Sequence, residues 1–110
     1  MVSENHDRPE RIAKELKRSL AALYGRRLIA VLMYGSYSRN EAKDDSDLDL
    51  LIVLDRVDHY CGEIDRSGGI FADLSLQFGV SLSPVFVSEA DWLHKETSFL
   101  ANVRDEAIAV

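Results

Sequence analysis

Two runs of apolar residues dominate the middle of the chain and predict two buried strands. The first run covers Leu28–Tyr34 and the second covers Leu48–Leu54. A run that is apolar at nearly every position is typical of a central strand covered on both faces of its sheet. Because side chains alternate along a strand, the second run divides into two faces. One face carries Leu48, Leu50 and Ile52, and the other carries Asp47, Asp49, Leu51 and Val53.

Helical periodicity predicts two longer helices, one before the strand pair and one after it. Apolar residues recur close to a 3.6-residue period over residues 8–24 and again over residues 63–78. A glycine directly follows each segment, and glycine commonly ends a helix. Arg26 and Arg27 come just after the first helix. We expect them to cap its negative end rather than to reach a phosphate.

Turn and capping residues predict the rest of the chain. Residues 80–87 are interpreted as a third strand. Pro84 favours an edge position or a bulge in that strand, because proline cannot donate a hydrogen bond to a ladder. Ser88 marks the start of a final helix, and residues 108–110 are expected to close the sheet as a short strand. The apolar side of that helix consists of Trp92, Phe99 and Val103.

Length and composition predict one small domain over residues 1–110, with residues 1–7 disordered. Hydrophobic residues make up 46% of the chain, which suffices for one core. The net charge of −6 argues against general nucleic-acid binding, since an acidic surface repels phosphate backbones. The sequence contains no apolar run of membrane-spanning length and no secretory signal. Together with the single cysteine, Cys61, these features predict a cytoplasmic protein.

A glycine–serine turn and a pair of aspartates occupy the connection between the two central strands. Gly35-Ser36 follows the first strand, and ten residues later Asp47-Leu48-Asp49 opens the second. Small turn residues let backbone N–H groups approach an anion closely. Two carboxylates on one strand face repel each other unless a cation lies between them, and Mg²⁺ commonly takes one or two carboxylates together with substrate phosphates. Either motif alone is common, but together they predict a phosphate cradle beside a metal-binding carboxylate pair.

These motifs, at this spacing, resemble the minimal nucleotidyltransferases of the DNA polymerase β-like superfamily. The family pattern is Gly-Ser, a spacer and Asp-x-Asp, and Arg39, Ala42 and Ser46 also stand where the family has them. Asn40 stands where the family usually has glycine, which is a mild departure. The resemblance implies an α/β (α+β) nucleotidyltransferase fold, with a small mixed sheet and helices packed mainly on one face. It also implies ATP as substrate and Mg²⁺, or Mn²⁺, as cofactor.

The resemblance implies roles for particular residues of this chain. Asp47 and Asp49 become the catalytic metal ligands. A short helix over residues 36–42 would point its N-terminus at the phosphates. Arg39 either neutralises phosphate charge or anchors that helix. The nucleotide-binding residues implied are Gly35, Ser36, Arg39 and Ser46.

One departure from the family pattern concerns the metal site. The family usually supplies a third carboxylate from the next core strand, but here Ser83 stands near that position. Asp73 comes too early, and Asp91 comes too late and is expected to cap the next helix. A hydroxyl is a poorer Mg²⁺ ligand than a carboxylate. We therefore expect triphosphate binding to survive and catalytic transfer to be in doubt.

Three functions remain open from the sequence. The first is transfer of AMP to a partner protein, with the chain as the antitoxin of a toxin–antitoxin pair whose toxin is a HEPN-type protein. The second is a nucleotide-binding module that has lost catalysis. The third is an enzyme acting on a small molecule such as an aminoglycoside. The sequence also leaves open whether the chain forms a homo-oligomer.

Overall fold

The computed structural model describes residues 4–35 and 47–110, which form a mixed sheet with helices on both faces. A single turn of 3-10 helix, Gly25–Arg27, separates the first helix from the first strand. The helices are α1 (Glu4–Tyr24), α2 (Tyr60–Phe78), α3 (Glu89–His94) and α4 (Ser98–Glu106). The strands are β1 (Leu28–Tyr34), β2 (Leu48–Leu54), β3 (Leu82–Ser88) and β4 (Ile108–Ala109).

The sheet has the strand order β3-β2-β1-β4. Strand β1 pairs antiparallel with β2 and β4, whereas β2 pairs parallel with β3. The two apolar runs are the central strands, as predicted, and their bounds match the prediction. Strand β3 lies at an edge of the sheet, which confirms the interpretation of Pro84.

Each face of the sheet has its own core. The two long helices, α1 and α2, pack on one face, where Leu16 and Leu20 meet Leu50 and Ile52. The short helices α3 and α4 cover part of the other face. There the buried cluster consists of Leu32, Leu51, Val53, Val87, Leu100 and Val103. The predicted alternation along β2 is therefore confirmed, and the aspartate side of this strand becomes a covered core beyond its first residues.

Both long helices begin earlier than predicted. Helix α1 starts at Glu4 rather than at residue 8, so Pro9 lies within it instead of opening it. Helix α2 starts at Tyr60 rather than at residue 63. The predicted stop after α2 is confirmed, because Gly79 adopts a left-handed conformation with φ of 65° and its N–H donates to Ser75. Within the described residues, no helix has the length and apolar character that crossing a membrane requires.

The final helix of the prediction is two helices. Ser88 caps α3 as expected, by accepting a hydrogen bond from the Asp91 N–H. The chain then leaves the helix, and the Thr97 side chain accepts from the Leu100 N–H to start α4. Arg104 ties the two helices together by donating to the main-chain carbonyls of Asp91, Trp92 and Lys95.

An ion-pair network lies just beyond the C-terminal end of β2, which is called the far end below. The network shows that Arg27 does not have the role predicted for it. Arg27 donates to Glu63 Oε2 at 2.8 Å and to Asp55 Oδ1 at 3.1 Å, so its guanidinium serves these two acids rather than a helix end. The buried Tyr24 hydroxyl donates to Glu63 Oε1 at 2.9 Å. Burial alone would raise the pKa of the Glu63 carboxyl, but the hydrogen bonds from Arg27 and Tyr24 outweigh it and hold that pKa below its ordinary value.

Candidate functional site

The two aspartates of the Asp-x-Asp motif lie at the start of β2. Asp47 directly precedes the strand and is exposed, and Asp49 is its second residue and is partly buried. Leu48, between them, is fully buried in the core beneath the opposite face. Burial of Leu48 on one side fixes the strand's rotation, and Asp49 must then face the other side.

Strand pairing gives Asp49 a neighbour on each side. On β1 its partner is Tyr34, and on β3 its partner is Ser83. The Ser83 hydroxyl donates to Asp47 Oδ2 at 3.3 Å. Ser83 therefore lies beside both aspartates, as expected for the residue that replaces the third carboxylate. Asp73 lies on α2 and Asp91 on α3; the Asp91 main-chain N–H, rather than its side chain, takes part in the α3 cap.

Gly35 ends β1 in a conformation that favours glycine. Its φ is 79°, in the left-handed region. A Cβ at this position would overlap Asp49 Oδ2 and lie 3.2 Å from Asp49 Cγ. Gly35 and Asp49 are therefore in contact, although 13 positions separate them in the sequence. Contact of this kind is what a combined phosphate and metal site requires.

An aromatic pair stands next to Asp49 on the same face. Tyr34, the cross-strand partner of Asp49, packs edge-to-face against Phe99 of α4, with ring centroids 5.6 Å apart. Burial raises the pKa of the Tyr34 hydroxyl to about 12, and the negative charge of Asp49 adds to the effect. Sequence reasoning assigned neither aromatic residue to the site. Phe99 was expected only to pack in the core, and nothing in its local sequence indicates otherwise.

The donor groups present suit one hard cation. Asp47, Asp49 and the Ser83 hydroxyl supply oxygen atoms only, which is the ligand type that Mg²⁺ and Mn²⁺ prefer. In residues 4–35 and 47–110 no three acidic, histidine or cysteine side chains are grouped as metal ligands. Mg²⁺ commonly completes such a small set with substrate phosphates and water. The carboxylate pair fits that role.

Several predicted features lie outside the described residues. These are the short helix over residues 36–42 and the residues Ser36, Arg39, Asn40, Ala42 and Ser46. Of the predicted site residues, the structure therefore brings together Gly35, Asp47 and Asp49. Cys61 is exposed on α2 and has no place in this site.

Comparison with known proteins identifies the family. A family model for the nucleotidyltransferase domain matches residues 13–106. The chain belongs to this nucleotidyltransferase family. Members transfer nucleotidyl groups from nucleoside triphosphates and generally use Mg²⁺, and this chain is accordingly a transferase of the EC 2.7.7 type.

Individual relatives agree with the family assignment. The chain is 33% identical over 98 residues to the putative protein adenylyltransferase MJ0604 of Methanocaldococcus jannaschii, covering 88% of this chain and 92% of that protein. It is 26% identical over 99 residues to the putative protein adenylyltransferase MJ0141 of the same organism, covering 90% of this chain and 95% of that protein. A solved structure of a putative minimal nucleotidyltransferase superposes with a TM-score of 0.61 at 25% identity, covering 93% of this chain and 95% of that one. The minimal-nucleotidyltransferase resemblance and the α+β fold predicted from the sequence are thereby confirmed.

Proposed function

We propose that this chain binds Mg-ATP at Asp47 and Asp49 and transfers AMP to a side-chain hydroxyl of a partner protein. The observation that carries the proposal is the contact between Gly35 and Asp49, which joins the glycine turn to the carboxylate pair. The turn would hold the triphosphate together with Ser36, Arg39 and Ser46, and the two aspartates would hold the cation. When bound, the cation supplies positive charge that offsets the charge on the phosphates during transfer.

The leaving phosphates and the acceptor are proposed to lie on opposite sides of Asp49, toward β1 and toward β3 respectively. Gly35 lies on the β1 side of Asp49, so the β- and γ-phosphates would rest there. The acceptor oxygen forms a bond to the α-phosphorus while the bond from that phosphorus to the bridging oxygen breaks. Pyrophosphate leaves with the electron pair of that bond, and the acceptor proton passes to water. Asp49 lies on β2 between Tyr34 of β1 and Ser83 of β3, where it would hold the cation together with Asp47.

A protein is the acceptor we propose. Two relatives from Methanocaldococcus jannaschii are named protein adenylyltransferases, and one of them shares 33% of its aligned residues with this chain. The resemblance to minimal nucleotidyltransferases suggests a HEPN-type protein as the partner. In that arrangement the chain acts as the antitoxin by modifying or binding its partner.

Labelled ATP tests the proposal directly. The purified chain is incubated with Mg²⁺ and the purified protein encoded by the neighbouring gene, once with ATP labelled at the α-phosphate and once at the γ-phosphate. Only the α label should appear in the partner protein. The variant that combines Asp47→Asn with Asp49→Asn should transfer none. Label confined to a small-molecule fraction would contradict a protein acceptor.

The second candidate is a nucleotide-binding module without catalysis. It is favoured by one observation, the hydroxyl of Ser83 at the position where a third carboxylate was expected. The same experiment separates the two candidates. Metal-dependent ATP affinity without transfer to protein, RNA or small molecule supports the binding module, and transfer to the partner protein excludes it.

A further inference from the structure

A groove of about 430 Å³ runs along the outer edge of β3. One wall comes from the start of α2 and the loop before it, and the other comes from α3, α4 and their connection. The floor is β3 itself. Its apolar lining includes Val57, Tyr60, Val85, Phe86, Phe99 and Leu100. The volume lies in the range of sites that bind small molecules.

The groove begins beside the candidate site, and two separate contacts connect them. Val85 lines the groove and is the next residue of β3 on the face of Ser83, the strand partner of Asp49. Two residues of a strand cover about 7 Å. Phe99 also lines the groove and packs against Tyr34, whose strand partner is again Asp49. A ligand held at Asp49 can therefore extend into the groove.

A nucleoside triphosphate has a part that needs such a space. With the α-phosphate at a cation held by Asp47 and Asp49, the 5′ carbon and the ribose carry the base away from the carboxylates. The nucleoside cannot lie on the line of attack, because the attacking and leaving oxygens occupy that line on opposite sides of the phosphorus. In the reaction proposed above, the line crosses the strands from β1 to β3. The groove runs along β3 instead, from Val85 toward Ser88, and so leaves the line free.

The charges at the rim suit the nucleoside rather than the phosphates. Two carboxylates, Asp58 and Asp91, and one ammonium group, Lys95, lie there. An excess of negative charge repels a triphosphate, so the phosphates belong at Gly35 and the uncharged end of the nucleotide belongs in the groove. Carboxylate oxygens also accept hydrogen bonds from ribose hydroxyls and from the amino groups of bases.

Phe99 supplies an aromatic surface for the base. Its side chain is 42% exposed, although phenylalanine is among the residues most often buried. Tyr34 packs edge-to-face against it, with ring centroids 5.6 Å apart, and so holds the ring in place before a ligand arrives. Bases pack well on aromatic side chains, and the contact is worth about tenfold or more in affinity.

We propose that this groove binds the ribose and base of the nucleoside triphosphate, with the base packed against Phe99. The proposal rests on the function proposed above and assigns its nucleoside subsite. The glycine turn and the carboxylates then recognise any triphosphate with its cation, and the groove selects those that carry a nucleoside.

A pair of ligands with the same phosphates tests the proposal. Methyl triphosphate has the three phosphates of ATP and a methyl group in place of the nucleoside. Calorimetry should show that the wild type binds Mg-ATP about tenfold or more tightly than the Mg²⁺ complex of methyl triphosphate. Phe99→Ala should raise the Kd for Mg-ATP about tenfold and leave that for methyl triphosphate unaltered. Phe99→Trp should keep the wild-type Kd for both.

Leu76→Ala is the matched control for Phe99→Ala. Leu76 is an 84% exposed apolar residue on α2 that does not line the groove. Its loss should change neither Kd.

Photochemical cross-linking locates the base in the unaltered protein. With Mg²⁺ and 8-azido-ATP, the wild type should be labelled within residues 96–104, the tryptic peptide between Lys95 and Arg104 that contains Phe99. Excess Mg-ATP should prevent this label. If Phe99→Ala does not fold, the position of the label decides the question, and a label elsewhere in the chain overturns the proposal.

The outcomes also separate this proposal from the proposed function. If the wild type binds neither triphosphate, the proposed function fails and the nucleoside subsite fails with it. If the wild type binds both with equal affinity, the phosphate site stands and the nucleoside subsite alone is overturned. If Phe99→Ala weakens both ligands equally, Phe99 supports the fold of the site and does not contact the base, which also overturns the proposal.

Discussion

Acidic side chains lie at both ends of β2, but they receive hydrogen bonds from different kinds of donor. At the far end, Asp55 and Glu63 receive hydrogen bonds from one guanidinium, that of Arg27. At the near end, the described hydrogen bond to Asp47 comes from an uncharged hydroxyl, that of Ser83. The far-end acids have pKa values held below their ordinary range.

This difference predicts a structural role for the far-end acids and ligand binding for Asp47 and Asp49. A cation built into the chain balances the far-end acids, so their charge contributes to folding. Asp47 and Asp49 lie two positions apart at the start of β2, with Asp49 against Gly35, and a bound cation would lower their mutual repulsion. The same residue type is therefore expected to stabilise the protein at one end of the strand and to bind a ligand at the other. Substitutions at one end should change stability, and substitutions at the other should change ligand affinity.

The largest effect is expected from combining Asp47→Asn with Asp49→Asn. Loss of both carboxylates should weaken the Mg²⁺-dependent affinity for ATP by more than about 100-fold, because an amide is a poor ligand for a hard cation. The metal-free protein should be as stable as the wild type or more so, since the change relieves repulsion. Calorimetric titration and thermal melting measure the two quantities.

A single exposed acid gives the matched control for that variant. Asp73→Asn removes a carboxylate from the surface of α2 and should leave both ATP affinity and stability unaltered. Wild-type affinity in the double variant would show that the aspartates hold no metal. A marked loss of stability without metal would mean that the near end is structural, like the far end.

At the far end, Glu63→Gln should lower the free energy of unfolding by about 2 kcal/mol. The glutamine amide cannot balance the charge of Arg27, and the Glu63 side chain is only 7% exposed. ATP affinity should stay at its wild-type value. Denaturant unfolding measures the effect, and Asp65→Asn, at an exposed position of the same helix, should change stability little.

The contribution of Glu63 to stability depends on pH, and the sign of that dependence is definite. The Glu63 pKa is lower in the folded protein than its ordinary value, so the stabilisation is complete above the unfolded-state pKa. It is lost as the pH falls through the folded-state pKa. The stability gap between wild type and Glu63→Gln should therefore shrink below about pH 4. A gap that stays constant under acid would mean that the Glu63 charge is not its source.

A smaller effect is expected from Gly35→Ala. A side chain in the left-handed region costs about 1–2 kcal/mol, and here the new methyl group must also displace the Asp49 carboxylate. ATP affinity should fall along with stability. Gly25→Ala is the control, because Gly25 has a φ of 59° but a Cβ there would meet no other atom within 4 Å. Equal ATP affinities in the two variants would show that contact with Asp49 does not matter for binding.

The smallest change in stability is expected from Ser83→Asp. A third carboxylate beside Asp47 and Asp49 should destabilise the metal-free protein by about 1 kcal/mol through like-charge repulsion. Mg²⁺ should restore that stability, because a ligand bound only by the folded state stabilises it. Nucleotidyl transfer should rise at the same time.

The neutral variant Ser83→Asn separates charge from size. It should show neither the Mg²⁺-dependent rise in melting temperature nor the gain in transfer. A melting temperature of Ser83→Asp that ignores Mg²⁺ would mean that residue 83 does not reach the cation. The near end would then depend on two carboxylates alone.

The central strands could be predicted from the sequence because their signal is local. The apolar runs that form β1 and β2 have the length of strands rather than of long helices, and Pro84 indicates the edge strand that carries Ser83. The split between α3 and α4 was missed because residues 95–97 interrupt a helical pattern without glycine or proline. Only the capping hydrogen bond of Thr97 reveals the break.

The parts that sequence reasoning missed depend on distant partners. Arg27 meets Asp55 and Glu63, which lie 28 and 36 positions away, and its own neighbours suggested a helix cap instead. The groove beside β3 draws its walls from the start of α2 and from the α3–α4 segment. No local sequence pattern identifies residues that come together only in the folded protein, where they line one groove. By contrast, Gly35, Asp47 and Asp49 could be predicted as one group because their spacing is itself a motif.

Arg104 has a consequence for the way this molecule moves. By holding three main-chain carbonyls of α3 and the residue after it from a position on α4, it makes the two short helices a single mechanical unit. Amide protons of both helices should then exchange with solvent at one common rate, as members of one cooperatively opening segment. The same unit forms one wall of the groove, while the opposite wall belongs to α2. Cooperative opening of α3 and α4 would therefore widen the groove from this wall.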